Sequence, residues 1–322
     1  MRSQLDDYGG LRHLISLDGL SREALTAILD RAENYRRFPG QSAYEGRELA
    51  GMTIANLFFE PSTRTRASFD LAGRRLGAHV INLDMQSSSR VKGETMLDTI
   101  YTLEAMNTDV FVIRDSQPGM PEFLVDHVAD HVSVIGAGEA HLSHPTQGLL
   151  DVLTIRSHKR RFAGLAVAIV GDIKHSRVAR STARALQTLG TTDLRLVAPE
   201  PLLPDEGEFS GAQRFIHIDD GIAGVDVVMM LRIQKERMAE AANLDDAQYF
   251  KHFGLDARRV QRAAADVLVM HPGPMNRGVE IASEVADGPR SVIREQVNNG
   301  VAVRMAVLAA IATTLTRKRK PL

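Results

Sequence analysis

The sequence predicts an α/β protein of two similar domains, each a parallel sheet flanked by helices, joined by bridging helices with the active site in the cleft between domains. Three observations lead there. Apolar strand-like runs alternate with helical patterns almost throughout, as βαβ units do. A chain of 322 residues has room for about two domains with ample cores. Between two sets of strand-like runs lies a helical pattern over residues 145–162, rich in Leu149, Leu150, Val152, Leu153 and Ile155, which can bridge two halves.

The first set of runs covers residues 53–59, 80–83, 109–113 and 132–135; the second covers 166–170, 194–197, 215–218, 225–230 and 267–270. After the first run, Phe69, Ala72, Gly73 and Leu76 recur at i, i+3, i+4 and i+7, a helix face packed on a sheet. Residues 199–211, with three prolines and several acids, read as a surface loop. Residues 301–315 read as a C-terminal helix packed on the first domain, shorter than a bilayer span and carrying Arg304. Its Arg317-Lys318-Arg319-Lys320 ending reads as a solvated helix terminus complementing the dipole. The expected domains are residues 1–150, completed by a helix over 291–322, and residues 151–290.

Composition narrows the function classes. A formal net charge of −1 provides no global field toward nucleic acid or anionic membranes. Zero cysteines exclude disulfides, thiolate metal sites and a cysteine nucleophile, and agree with a cytoplasmic enzyme. Asp6 and Asp7 stand near the N-terminus with no apolar h-region, so no signal peptide is visible.

Chemistry-bearing residues follow the apolar runs. Glu60-Pro61-Ser62-Thr63-Arg64-Thr65-Arg66 stands where a strand hands over to a helix. Unpaired helix N–H groups, hydroxyls, the helix dipole and two arginines together make a phosphate site. The glycines of a nucleotide P-loop are missing, so the ligand is expected to be a small phosphate compound. Arg114 follows the third run, and Gly136-Ala137-Gly138 the fourth, leading to His144-Pro145-Thr146-Gln147. That last motif reads either as a helix cap with a structural histidine or as a clamp in which His144 and Gln147 hold one carbonyl or amide from two sides. His141 and His144 have no evident third partner for a metal, and none is expected.

Ser87-Ser88-Ser89-Arg90-Val91-Lys92-Gly93-Glu94 reads either as a lid delivering Lys92 to an anion or as a solvated loop. Gly171-Asp172-Ile173-Lys174-His175-Ser176-Arg177 lacks the G-x-G-x-x-G fingerprint, which disfavours a dinucleotide. Arg177 and Arg232, with Gln234 close by, suit a substrate bearing carboxylates. His271-Pro272-Gly273-Pro274 holds two prolines that cannot donate, so the turn presents carbonyls able to receive an –NH2 group. In open α/β sheets ligands gather at strand carboxyl ends, and these groups predict one shared cleft.

In this order, S-T-R-T-R, the S-x-x-x-K-G-E loop, H-P-T-Q, R-x-Q and H-P-G-P resemble the aspartate/ornithine carbamoyltransferase superfamily over nearly the whole chain, and within it the aspartate-accepting branch. The ornithine enzymes typically carry H-C-L-P and D-x-x-x-S-M-G instead. The resemblance implies carbamoyl transfer from carbamoyl phosphate to the α-amine of L-aspartate, an early step of de novo pyrimidine biosynthesis, without a cofactor.

It also implies roles for individual residues. Ser62, Thr63, Arg64 and Thr65, with Arg114, would hold the phosphate. His144 would bond the carbamoyl oxygen, and Gln147 with the Pro272-Gly273-Pro274 turn would receive the –NH2. Arg64, Thr65, Arg114 and His144 would stabilise the oxyanion, while Arg177, Arg232, Gln234 and Lys92 would hold aspartate. Ser88 and Lys92 would reach into a neighbouring subunit of a homotrimer. A dihydroorotase-like or regulatory chain is a possible partner, and residues 1–12 read as a contact segment for it or as a disordered tail. The competing expectations are an ornithine-type acceptor, a non-catalytic assembly subunit and a nicotinamide-linked dehydrogenase.

Overall fold

A computed structural model describes residues 3–84, 95–234 and 245–319, and in it the apolar runs become parallel strands. The chain divides into two units, Met1–Thr146 with Asn298–Leu322, and Gln147–Val297. The divisions fall inside two helices, α5 (Pro145–Lys159) and α11 (Ile293–Arg319), so the chain passes between units along helices.

The first unit holds β1 (Thr53–Phe58), β2 (His79–Asp84), β3 (Val110–Asp115) and β4 (Ser133–Glu139), paired in parallel in the order β2-β1-β3-β4. Continuous apolar runs suit strands covered on both faces. Ala55, Leu57, Phe111, Ile113 and Val134 pack with Ile100 and Leu103 of α3 (Met96–Ala105) and Leu124 and Val125 of α4 (Met120–His127). Helix α2 (Thr63–Arg75) packs through Phe69, Ala72 and Gly73. A Cβ at Gly73 would lie 2.8 Å from Val80 Cγ2 and 2.9 Å from Ile54 Cδ1, so only glycine lets this helix approach so closely.

β4 runs through Gly136-Ala137-Gly138 to Glu139, all buried, whereas the sequence places these glycines beyond the strand. The cause is an N-terminal segment that pairs with the strand's open edge. Leu14 N–H donates to Val134 O at 2.9 Å, and Gly136 N–H donates to Leu14 O at 2.8 Å. A Cβ at Gly136 would stand 3.1 Å from Ile15 O, so the small residue admits the neighbouring backbone. That pairing also covers a sheet edge. Residues 3–12 of the same segment are folded onto the unit: Gln4 Oε1 accepts from Ile15 N–H at 2.7 Å, and Asp6 pairs with Arg317 at 2.7 Å.

The second unit holds β5 (Ala166–Val170), β6 (Asp193–Val197), β7 (Gln213–Phe215), β8 (Val227–Met230) and β9 (Leu268–Met270), parallel in the order β7-β6-β5-β8-β9. The edge strand β7 lies slightly before its expected position, because Ile218 belongs to a short helix, α7 (Ile218–Gly221). Helix α6 (Arg177–Leu189) starts at Ser176, whose hydroxyl accepts from Ala179 N–H, and ends on left-handed Gly190. One device recurs in both units. Asp109 accepts from Thr53 N–H at 2.7 Å, and Asp226 accepts from Ala166 N–H at 2.9 Å, each tying a central strand to its neighbour at the amino end.

α11 contains the apolar run 301–315, lies within the expected 291–322, and is long and apolar enough to cross a membrane by those measures alone. It is a core helix: 78% of its most apolar window is buried. Arg304, which interrupts the apolar run, lies over the Phe69 ring at 5.1 Å.

Candidate active site

Strand order reverses once in each sheet. In the first unit the chain steps from β1 out to β2, then returns to β3 on the other side of β1. In the second it steps from β5 out to β6 and β7, then returns to β8 beside β5. The crevice at the carboxyl ends of such strands is where α/β sheets bind ligands. Ser62–Thr65 follow β1 and Arg114 lies at the end of β3; Arg177 follows β5, and Arg232 and Gln234 follow β8.

The first group is a helix N-terminus with fixed cations. Ser62 is the N-cap of α2, and its hydroxyl makes no capping bond. The first intrahelical bond of the turn runs from Arg66 N–H to Ser62 O at 3.1 Å. N–H groups at residues 63–65 therefore precede any intrahelical partner. No acidic residue stands in this first turn. Arg64 is exposed, whereas Thr65 is buried.

Arg114 is held beside this turn, since Phe59 N–H donates to Arg114 O at 2.8 Å. Its guanidinium pairs with Glu60 at 2.5 Å and donates to Ala137 O at 3.1 Å. Glu60 opens the quoted motif, but its role in aiming Arg114 was not evident from spacing.

His144 is buried just before α5. A tight turn sets it, with Glu139 N–H donating to Ser143 O at 2.8 Å. Ser143 Oγ in turn donates to Ile15 O at 3.0 Å, so the N-terminal segment anchors the turn.

Glu139, at the base of this turn, accepts from Gly119 N–H at 2.6 Å. Burial pushes its carboxyl above the ordinary 4.5, and the nearby charges of Glu122 and Asp115 add to the shift. A raised folded-state value gives stability that is complete below the unfolded value and is lost as pH rises through the folded one. Glutamine keeps the acceptor for Gly119 and does not titrate. The melting temperature of Glu139→Gln minus that of the wild type is therefore expected to grow as pH rises above the ordinary carboxylate value of 4.5. A constant or shrinking difference would refute this assignment.

In the second unit, Gly171 directly follows β5 at φ +128, where a Cβ would lie 2.6 Å from Leu231 O. This brings the loops after β5 and β8 together. Asp172, fully buried, accepts from Gln234 N–H at 3.3 Å and lies 2.8 Å from His175 Nδ1. Gln234 Nε2 donates to His175 O at 3.1 Å. Arg177 is buried at the first position of α6, and Arg232 is half-buried two residues beyond β8.

The His271–Pro274 turn follows β9, the neighbour of β8. Its Gly273–Pro274 bond is cis. His271 N–H donates to Gln296 Oε1 at 3.0 Å, and Gly273 N–H donates to His271 Nδ1 at 2.8 Å. With Nδ1 accepting, Nε2 carries the proton and donates to Glu280 Oε1 at 3.1 Å. The prolines have no N–H, so every donor of the turn is consumed and it presents carbonyls only. Tyr249 lies buried in this unit; burial, then the charges of Glu280 and Asp172, push its hydroxyl upward.

Gln147, near the start of α5, donates through Nε2 to Asp151 Oδ1 at 2.9 Å. Sequence reasoning missed Asp151, although its i+4 spacing from Gln147 is a usable signal. Ser88 and Lys92 lie outside the described residues, as does the loop that carries them.

The chain is similar to known proteins over most of its length. Residues 12–157 match the family model described as aspartate/ornithine carbamoyltransferase, carbamoyl-P binding domain. Residues 163–311 match the Asp/Orn binding domain of the same family. Among solved structures, aspartate transcarbamoylase of Trypanosoma cruzi in complex with carbamoyl aspartate and phosphate is 31% identical, covering 93% of this chain and 95% of that one at a TM-score of 0.83. The same protein in complex with carbamoyl phosphate and aspartate is 30% identical, covering 93% and 96%, also at 0.83. Ornithine carbamoyltransferase of Thermus thermophilus is 26% identical, covering 93% and 98%, at 0.81.

Proposed function

The chain belongs to the aspartate/ornithine carbamoyltransferase family, and from that premise we propose that it carries the carbamoyl group of carbamoyl phosphate to the α-amine of L-aspartate. The products are N-carbamoyl-L-aspartate and phosphate, in an early step of pyrimidine biosynthesis. The observation that carries the choice of acceptor is the pair Arg177 and Arg232, placed after adjacent strands β5 and β8 with Gln234 alongside. Guanidinium forks match the two carboxylates of aspartate. An ornithine side chain ends in a cation and would want carboxylates there. Asp172, the buried acid of these loops, is engaged with His175 and Gln234.

Ser62, Thr63, Arg64 and Thr65 at the α2 N-terminus, with Arg114, bind the phosphate in this reading. His144 donates to the carbamoyl oxygen, while Gln147 and the carbonyls of Pro272 and Gly273 receive the –NH2. The amine of aspartate attacks the carbamoyl carbon, and the carbonyl oxygen becomes an oxyanion held by His144 and the cations. As the tetrahedral intermediate collapses, the C–O bond to phosphate breaks, and the departing phosphate takes the amine proton. No side-chain nucleophile is needed; alignment of two anionic substrates does the work. The reading extends to a homotrimer in which Ser88 and Lys92 serve a neighbouring copy.

Phosphate release from carbamoyl phosphate by the purified chain, with L-aspartate or L-ornithine as acceptor, tests the proposal. Release is expected with aspartate alone. Release with ornithine alone would overturn the roles of Arg177 and Arg232, and silence with both would favour a non-catalytic subunit.

A further inference from the structure

Asp151 touches no proposed substrate, yet three side chains converge on it. Its side chain is fully buried on α5. Oδ1 accepts from Gln147 Nε2 at 2.9 Å and from Gln296 Nε2 at 2.6 Å, and Oδ2 accepts from Thr182 Oγ1 at 2.6 Å. A carboxylate accepts and does not donate. Each glutamine facing it must therefore turn its –NH2 inward and its carbonyl oxygen away.

For Gln147 this decides which group is offered outward. Its Oε1 is left as an acceptor, the polarity needed to receive an –NH2. For Gln296 it sends Oε1 to His271 N–H, at 3.0 Å. His271 then holds Gly273 N–H through Nδ1 and reaches Glu280 through Nε2. The polarity set at Asp151 thus runs through Gln296 to the turn that displays its carbonyls.

We propose that Asp151 is a positioning residue that fixes the amide orientation of Gln147 and Gln296, so that Gln147 Oε1 and the Pro272–Gly273 carbonyls all face the carbamoyl –NH2 as acceptors. This rests on the carbamoyltransferase reading above and deepens it. Asparagine at position 151 would offer its own –NH2 to one of the glutamines. That glutamine then flips, and at Gln147 the result sets donor against donor.

The test compares the full-length protein's affinity for carbamoyl phosphate and for inorganic phosphate, measured by titration calorimetry. Phosphate lacks the carbamoyl group, so the ratio of the two affinities reports the contacts to that group's –NH2 and carbonyl, of which Asp151→Asn disturbs only the acceptors facing the –NH2. In Asp151→Asn the preference for carbamoyl phosphate is expected to fall about tenfold, with phosphate affinity unchanged. Gln147→Ala should reproduce that fall, and adding it to Asp151→Asn should cost little more. Thr182→Val removes a bond to the same carboxylate without freeing either amide. It should lower the melting temperature and leave the preference intact.

If Asp151→Asn does not fold, Gln296→Leu, which cuts the arm to the turn and leaves Gln147 held by Asp151, should lower the preference by part of that amount, again with phosphate affinity unchanged. An equal fall in both affinities, or an unchanged preference in the folded variant, overturns the positioning role. A wild-type protein without preference for carbamoyl phosphate defeats the functional reading itself, and the inference falls with it.

Discussion

Replacing Arg64 with alanine is expected to lower turnover by about 10²–10³-fold while leaving the protein folded, since one preorganised donor to a developing anion is commonly worth that much. Arg64 stands in the first turn of α2, beside N–H groups that precede any intrahelical partner, and is exposed. Alanine is the stronger helix former, so the backbone loses nothing by the exchange. What disappears is a full positive charge at a helix end already polarised to favour anions. Steady-state phosphate release and a thermal melt separate the two effects. Near-normal turnover in a folded Arg64→Ala protein would remove the phosphate site from the α2 N-terminus.

The second large effect is expected at the other substrate. Arg232→Ala should raise the aspartate KM by about 10–150-fold, the worth of one hydrogen bond to a charged group. The KM for carbamoyl phosphate should hardly move, because the residues proposed to hold its phosphate follow β1 or lie at the end of β3, not after β8. Saturation curves for each substrate against a fixed excess of the other distinguish the outcomes. Parallel losses for both substrates would count against a role specific to aspartate.

Much of this site could be read from the chain because parallel strands covered on both faces are continuous apolar runs. Residues 53–59 end at once in a polar, hydroxyl-rich turn, so the position of Ser62–Thr65 at a strand end needed no knowledge of distant contacts. Arg177, Arg232 and the His271–Pro274 turn were legible for the same reason.

Where the backbone alone makes the contact, the signal fades. β7 pairs as an edge strand with exposed Gln213 and Arg214, and its neighbour Ile216, which looked like strand interior, is half exposed. The glycines of β4 resembled a loop because their partner, Leu14, lies more than a hundred residues earlier in the chain. Asp151 shows both limits together. Its bond to Gln147 spans four residues, whereas its bond to Gln296 spans 145. No local pattern joins the bridging helix to the α11 start.

Because the first unit takes in Asn298–Leu322, it cannot complete its packing while the chain is still being made. Phe69 of α2 waits on the ribosome for Arg304 of α11, which is synthesised only after the whole of Gln147–Val297. The second unit is one continuous stretch and can close first. Vectorial synthesis therefore leaves the earlier half open for longer, and a premature stop anywhere before residue 298 would release a chain with that packing incomplete, the kind of species chaperones retain.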